Sequence, residues 1–356
     1  MLKQKFSNIT FLKIFSVKIK VFLLLCLPIL TQLSCNTTEP TDDLTPGRRD
    51  YTWTVDTLFL PFNPFRDIAG SNPTDVWVCS PGDADKIYYH FDGNSWTTDN
   101  VFRVFSPKSV YSLGTNNVWS SGREGRIWNY SNNVWSEILK FSFNGITDIT
   151  FETMYCISNN NIITAGQYFI NEDYYGIILK YDGKIWNKIA LPEIRTAFAD
   201  IAINNGSKIF LWGVSNESIG ESRYQFYELV GASLKEIYSG TQNTNAEYGS
   251  LLQLGSETYF IIGFEFFSYS GSGFQKVGRL TDSSKFRNLG AGRNKKDVFL
   301  FMTDGIMHYN GEDAVYLYQT IDKSFVSKAI IFEKEVFFLG RDTNGNNLIF
   351  HGKLNE

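Results

Sequence analysis

The chain has 356 residues, of which 43% are hydrophobic and 20% are charged. Aromatic residues make up 16% of the chain and only 9 residues are proline, a composition that excludes a disordered or collagen-like protein. With 33 basic and 37 acidic residues the formal net charge is −4, so the chain lacks the excess of positive charge that is typical of nucleic-acid-binding proteins. The length allows two or three ordinary domains, or one large all-β domain.

The first 34 residues have the pattern of a secretory signal. Lys3, Lys5, Lys13, Lys18 and Lys20 precede an apolar run at 21–30, and the stretch contains no acidic residue. This run is too short to span a bilayer, which needs about 20 apolar residues. A basic stretch followed by a short apolar run predicts export, with residues 1–34 removed as a signal peptide.

A cysteine stands just behind the apolar run, in the segment Thr31-Gln32-Leu33-Ser34-Cys35. A small residue before a cysteine at this place resembles a bacterial lipobox, although Gln32 occupies a position that is usually aliphatic. The resemblance implies that Cys35 carries acyl chains such as palmitate and becomes the first residue of the mature protein; ordinary cleavage is the alternative. Acyl chains contribute about 0.8 kcal/mol per buried methylene, so several chains anchor a protein stably to a membrane.

Residues 35–50 are predicted to form a flexible tether, because Leu44 is their only bulky apolar residue. Glu39, Asp42 and Asp43 form an acidic cluster that resembles the signal by which Bacteroidota lipoproteins reach the outer face of the outer membrane. An ordinary acidic linker is the alternative. Removal of the signal peptide leaves a formal charge of −9. The membrane link is therefore expected to be lipid and not a basic patch.

One pattern recurs about every 43 residues between residues 51 and 356. A hydrophobic strand usually ends in Gly, which permits backbone angles closed to other residues. A second strand ends in an aromatic residue, and a Gly or Asn turn leads to a strand that begins with Trp. The clearest copy is Asn161-Ile162-Ile163-Thr164-Ala165-Gly166 followed by the segment 178–186. The recurring strand starts at Asp75, Asn117, Asn161, Lys208, Glu257, Asp297 and Glu335.

A unit of this size with three or four short strands corresponds to one blade of a propeller. The recurring pattern resembles the Kelch repeat, in which the hydrophobic strand ends in paired Gly. In this chain a single Gly stands at that position. The sequence therefore predicts an all-β fold over residues 51–356, a seven-bladed β-propeller of four-stranded blades. The last blade lacks a final strand, and residues 51–56 resemble a final strand without a blade. The N-terminal strand is predicted to close the C-terminal blade, and the aromatic excess to fill the space between blades.

Two cysteines remain in the folded part, Cys79 and Cys156. The repeat register places them two blades apart on different strands, whereas a disulfide requires Cα atoms within about 7 Å. Both are predicted to be buried free thiols. Because the chain has no Cys-x-x-Cys motif, no zinc or redox site is predicted.

The sequence offers little catalytic chemistry. His90 and His308 occupy equivalent repeat positions, which favours a structural role, and His351 lies near the terminus. No His pair has metal-binding spacing, so neither a metal nor a cofactor is predicted. The segment 342–346 faintly resembles a calcium loop, but no Glu follows at the required spacing and a hairpin tip is predicted. An acid pair for glycoside cleavage remains possible, because propeller sites assemble from different blades.

These observations predict a lipid-anchored binding or scaffold protein of the cell envelope, at the outer membrane, with a protein or glycan partner. An assembly factor for a membrane complex cannot be separated from this function by sequence. The alternative is a carbohydrate-active enzyme, a hydrolase, lyase or sugar isomerase, whose acidic and basic side chains converge on the channel mouth. Segments 167–175 and 215–224 are the expected contact loops. The predicted site is Cys35 alone, as a lipid attachment.

Overall fold

The computed structural model describes residues 44–58, 63–81, 85–218, 221–241, 248–320 and 324–356. All regular elements in these ranges are strands, and none of the described residues forms a helix long and apolar enough to cross a membrane. The predicted signal peptide and Cys35 lie outside the described residues. Residues 45–356 form one compact unit.

The strands are arranged mainly as antiparallel meanders, in which each strand pairs with the next one along the chain. The first strand, β1 (Tyr51–Leu58), pairs with the last. The first two four-stranded sheets contain β2 (Asp67–Asn72), β3 (Asp75–Cys79), β4 (Tyr88–Phe91) and β5 (Trp96–Thr97), and then β6 (Pro107–Gly114), β7 (Asn117–Gly122), β8 (Arg126–Ser131) and β9 (Val134–Lys140). The next two contain β10 (Ile149–Ser158), β11 (Asn161–Ile170), β12 (Asp173–Tyr181) and β13 (Trp186–Lys188), and then β14 (Ala197–Asn204), β15 (Lys208–Ser218), β16 (Glu221–Val230) and β17 (Ser233–Thr241).

An eight-stranded sheet follows, built from two meanders of four strands each. The two are joined by a single parallel pair, Leu254 with Gly292. The meanders are β18 (Gly249–Leu254), β19 (Glu257–Ile262), β20 (Glu265–Tyr269) and β21 (Phe274–Arg279), and then β22 (Phe286–Asn294), β23 (Asp297–Met302), β24 (Gly305–Tyr309) and β25 (Ala314–Gln319). The last sheet contains β26 (Phe325–Ile331), β27 (Glu335–Arg341), β28 (Asn347–Leu354) and β1.

The N-terminal strand completes the C-terminal sheet, as the sequence predicts. β1 runs antiparallel to β28, with Tyr51 opposite Leu354 and Leu58 opposite Asn347. The indole of Trp53 packs at 6.0 Å from the ring of Phe338, measured between ring centroids. The pairing covers one edge of β28, which would otherwise expose unpaired backbone groups.

The strands that open each meander surround a channel. We call β2, β6, β10, β14, β18, β22 and β26 the first strands. Each contacts the first strand of the next meander, and β26 contacts β2, so the contacts form a closed ring. The channel between them has a volume of about 1110 Å³. Side chains at matching positions of the first strands therefore converge on one space.

Aromatic rings fill the space between neighbouring sheets, as expected. The ring of Phe210 on β15 lies 5.1 Å from that of Phe260 on β19, and Phe299 on β23 lies 5.5 Å from Phe338 on β27. These four rings are almost completely buried. Each such pair contributes about 0.5–1.5 kcal/mol beyond the burial of its area.

The glycines at the strand ends have two roles. Gly263 adopts a positive φ of 62°, as the sequence suggests. Gly122 and Gly166 do not adopt a positive φ. Instead, a Cβ atom on Gly166 would clash with the carbonyl oxygen of Thr150 on the neighbouring strand. Glycine is needed there because two backbones approach closely. The hairpin glycines Gly93 and Gly183 do have positive φ angles, of 97° and 93°.

Removal of the Trp53 side chain tests the importance of this closure. We expect Trp53→Ala to lower the free energy of unfolding by about 2–4 kcal/mol, because the half-buried indole packs between two sheets. Val55→Ala, on the same strand but 40% exposed, should change it by less than about 0.5 kcal/mol. Denaturant unfolding measures both. Equal effects of the two substitutions would show that β1 does not close the domain through Trp53.

Candidate functional site

A polar side chain occupies the same ladder position on most first strands, opposite the fifth residue of the strand that follows. In β6, β10, β14 and β26 the ladder skips one residue immediately before this position. Such a bulge redirects the side chain that follows it. In β22 the ladder is open between Phe286 and Gly290, and Asn288 lies within this gap. We call the set the polar ring: Asp67, Ser109, Thr153, Asp200, Ser250, Asn288 and Lys328.

Members of the polar ring connect neighbouring sheets. The backbone N–H of Val110 donates to Oδ2 of Asp67 over 3.1 Å, which links β6 to β2. The hydroxyl of Ser250 donates to the carbonyl oxygen of Asn288 over 2.5 Å, which links β18 to β22. These bonds cross from one repeat to the next, so part of the ring serves to hold the sheets in register.

Three members of the ring carry charge and influence one another across the channel. Burial raises the pKa of Asp67 to about 6, against the opposing charge of Lys328 and two backbone N–H groups. Burial likewise raises the pKa of Asp200, again opposed first by Lys328. The carboxylate of Asp200, and to a lesser extent that of Asp67, raises the pKa of the Lys328 ammonium in spite of its burial. Lys328 is therefore held positive by two carboxylates on other strands.

These charges do not meet in an ion pair. Within the described part of the chain, the Nζ of Lys328 forms no hydrogen bond and lies beyond ion-pair distance of both carboxylates. Oδ1 of Asp200 accepts a bond from the backbone N–H of Ile201 over 3.0 Å, and no described residue donates to Oδ2. An acceptor, Oδ2 of Asp200, and a donor, Nζ of Lys328, thus face the channel without a hydrogen bond to any described residue.

The other cations of the channel have partners of their own. The guanidinium of Arg287 donates to the carbonyl oxygen of Val326 and lies 4.5 Å from the ring centroid of Phe325. Burial alone lowers the pKa of Arg287. The guanidinium of Arg293 lies 2.7 Å from a carboxylate oxygen of Asp297. The charge pattern of the ring itself is therefore set by two carboxylates and one ammonium.

Aromatic side chains line the channel beside the ring. Tyr111 and Tyr155 stand two residues beyond Ser109 and Thr153, and their ring centroids are 5.1 Å apart. Trp212, the ladder partner of Asp200, also lines the channel. Burial raises the pKa of Tyr111, so this phenol is neutral and acts as a wall. The site combines apolar walls with a few charged groups, which is typical of ligand pockets.

The histidines lie elsewhere and form three equivalent pairs. In each pair the ring Nε2 contacts the carboxylate at the first residue of the second strand of the meander. His351, which the sequence suggested only as a terminal residue, is the third member of the series. The pairs and distances are His90 with Asp75 at 2.8 Å, His308 with Asp297 at 2.8 Å and His351 with Glu335 at 2.7 Å. These pairs lie at the strand ends opposite the polar ring, and each connects two neighbouring strands of one sheet.

The remaining sequence candidates are structural. Cys79 and Cys156 are buried free thiols, as predicted, and burial raises the pKa of each. Asp342 accepts hydrogen bonds of 2.7 Å from the backbone N–H and from the side-chain amide of Asn346, in the hairpin tip that the sequence predicts. The described residues contain no group of three or more His, Cys, Asp and Glu side chains that could hold a metal ion.

The expected contact loops are mostly strand. Segment 167–175 extends the hairpin of β11 and β12, and segment 215–224 extends that of β15 and β16. A loop that sequence reasoning missed joins β5 to β6 and presents Phe102, which is 72% exposed, and Val104, which is 66% exposed. Arg103 between them is buried and bound to the carboxylate of Asp99. Composition could not separate this exposed aromatic residue from the many buried ones.

Solved structures with a similar fold are β-propellers. YCF48 bound to D1 peptide has a TM-score of 0.59 and 16% identity, and the match covers 88% of this chain and 100% of that one. Streptogramin B lyase has a TM-score of 0.62 and 14% identity, with 85% and 98% covered. Virginiamycin B lyase from Staphylococcus aureus with quinupristin has a TM-score of 0.60 and 11% identity, with 85% and 99% covered. Neither a family model nor a curated protein matches the sequence. The likeness shows a β-propeller fold.

The raised pKa of Asp67 predicts how the free energy of unfolding depends on pH. A carboxyl group that binds its proton more tightly in the folded state stabilises the fold at low pH and loses this contribution as the pH rises through the folded pKa, about 6 here. Asp67→Asn removes this titration. Relative to the wild type, its free energy of unfolding should therefore rise by about 2–3 kcal/mol between about pH 3 and pH 7.

Asp92 provides the control. Backbone N–H groups lower the pKa of this exposed carboxyl, so the stability of Asp92→Asn relative to wild type should fall over the same pH range. Denaturant unfolding at a series of pH values gives both curves. Parallel curves for the two variants would contradict the assignment of Asp67 as a buried, channel-facing acid.

Proposed function

We propose that the protein is a seven-bladed β-propeller, anchored in the cell envelope through lipid on Cys35, that binds a protein or glycan partner at one end of its channel. The observation that carries this proposal is the polar ring, which holds Asp200 and Lys328 with unused bonding capacity in a channel of about 1110 Å³. Both side chains are half-buried, and a charged group that gives up part of its hydration without a protein partner lowers the stability of a fold. Their presence in an accessible cavity favours a role in binding.

The surface around this end of the channel supports a partner of protein size. First strands begin at this end, and the loop that carries Phe102 and Val104 leads into one of them. The buried Arg103 donates to the carbonyl oxygen of Val101 over 3.0 Å and to Asp99, which fixes the loop. An exposed aromatic residue on an ordered loop loses little conformational entropy on binding, and such residues are frequent hot spots.

The chain enters the domain at the opposite end. The backbone N–H of Gly47 donates to the carbonyl oxygen of Lys296 over 2.8 Å, in the turn between β22 and β23. The guanidinium of Arg49 donates to Asp313, in the turn between β24 and β25. With the lipid on Cys35, the residues up to Gly47 span at most about 40 Å. The chain therefore joins the domain at the end opposite the polar ring.

Two of the similar structures correspond to the two candidate functions. YCF48 was solved with a bound peptide, which supports a partner-binding role for a propeller of this shape. Streptogramin B lyase is an enzyme, so a propeller of similar fold can carry catalysis, as the second candidate, a carbohydrate-active hydrolase, lyase or isomerase, requires. The specific observation in favour of an enzyme is that Asp67 has a pKa of about 6 and shares the channel with Asp200 and Lys328. Such a carboxyl can exchange a proton near neutral pH.

Capture of a partner from envelope extract tests the binding function. The wild-type protein, immobilised through its tether, should retain a defined partner, and Phe102→Asp should reduce the retained amount at least about tenfold, because a charge enters an apolar contact. Val134→Asp is the matched control, since Val134 is 53% exposed and is the first residue of β9, beside a turn at the other end. Equal capture by wild type and Phe102→Asp would remove this face from the proposal.

The anchor is tested by fractionation of cells. Cys35→Ala should move the protein from the membrane fraction to the soluble fraction and abolish labelling by radioactive palmitate, because the thiol that is proposed to carry the acyl chains is removed. Intact-cell protease treatment then reports which face carries the domain. Retention of Cys35→Ala in the membrane fraction would show that the membrane link does not depend on this cysteine.

A further inference from the structure

We infer that the polar ring binds a neutral, polyhydroxylated ligand, the sugar residue of a glycan, which places its hydroxyl groups between Asp200 and Lys328. This inference rests on the glycan alternative of the proposed function and names the ligand class of the same site. It starts from the arrangement of opposite charges that are held apart in one cavity.

The first step concerns hydrogen bonding. Oδ2 of Asp200 can only accept a bond, and the Nζ of Lys328 can only donate. A hydroxyl group both donates and accepts, so neighbouring hydroxyls of a sugar can serve the carboxylate and the ammonium together. Water can bridge the same groups. A ligand that carries several hydroxyls on one rigid ring replaces several waters, and ordering this one molecule costs less entropy than ordering the separate waters.

The second step concerns charge. A positive group on a ligand would be attracted by Asp67 and Asp200 but repelled by Lys328, and for a negative group the attraction and the repulsion are exchanged, so the site favours neither sign of net charge. Like charges placed side by side in a binding site cost several kcal/mol and exclude the wrong partner. Arg287 adds a second positive charge to the channel, since its partners, the carbonyl oxygen of Val326 and the ring of Phe325, are neutral, and the two cations then match the two carboxylates in number. A neutral polar ligand meets no such repulsion.

The third step concerns the walls. Tyr111, Tyr155 and Trp212 line the channel beside the ring and offer apolar surface to the C–H groups of a sugar. Cys79, which faces Asp67 across the ladder, has a raised pKa and remains a neutral thiol. The volume of about 1110 Å³ exceeds that of most small-ligand pockets, so the end of a longer glycan can enter.

A panel of related sugars tests the inference directly. The neutral probes are glucose, galactose and mannose, the cationic probe is glucosamine and the anionic probe is glucuronate. Binding of each sugar to the folded domain is measured by calorimetric titration and by saturation-transfer NMR. We expect binding of at least one neutral sugar, and at least about tenfold weaker binding of it by Asp200→Asn and by Lys328→Met, since each loses a bond to a charged group. Lys184→Met, at an exposed hairpin, should bind as the wild type does.

Several outcomes would overturn the inference: no binding of any neutral sugar, preferential binding of glucosamine or glucuronate, or equal affinity of wild type, Asp200→Asn and Lys328→Met. Circular dichroism and thermal unfolding identify any variant that does not fold. In that case a crystal of the wild type soaked in the neutral sugar decides, through the presence or absence of ligand density between Asp200 and Lys328. The proposed binding function is tested separately, because partner capture that depends on Phe102 can persist when every sugar fails.

Discussion

The closed ring of first strands is the constraint on which the rest of the structure depends. Among the described residues, the main contacts of each meander are with its two neighbours, so the ring is stable only when the last meander meets the first. This last contact is made by β26 and β2, and β1 completes the last meander by pairing with β28, with Trp53 packed against Phe338 of the same sheet. Because the ring is closed, matching positions on separate repeats come together at a common channel, and every member of the polar ring except Ser109 lines it.

The sequence predicts the architecture well and the site poorly, for physical reasons. Repeats such as 161–186 encode strand ends and turns within one meander, and the pairing of 51–56 with the C-terminal sheet follows from a missing strand. Asp67, Asp200 and Lys328, by contrast, are single polar residues far apart in the chain. Only bulges before Asp200 and Lys328 and the closure of the ring bring them together. Neither can be read from one sequence.

The polar ring serves structure and binding with different members. Asp67 and Ser250 bond to neighbouring strands and help to hold the sheets in register. Asp200 and Lys328 retain free bonding capacity, although burial raises the pKa of the carboxyl and the carboxylates raise that of the ammonium. A fold optimised for stability alone would place apolar groups at these positions, because a half-buried charge loses part of its hydration and gains no protein partner here. Their retention at an open end favours a ligand.

Chemical modification of Lys328 is the most direct test of the claim that this end of the channel is the binding site. The wild-type protein is reductively methylated with and without envelope extract, and mass spectrometry follows Lys328 and the exposed Lys184. Our account predicts that a ligand in the extract slows the methylation of Lys328 several-fold and leaves that of Lys184 unchanged. Equal rates at Lys328 with and without extract would contradict it.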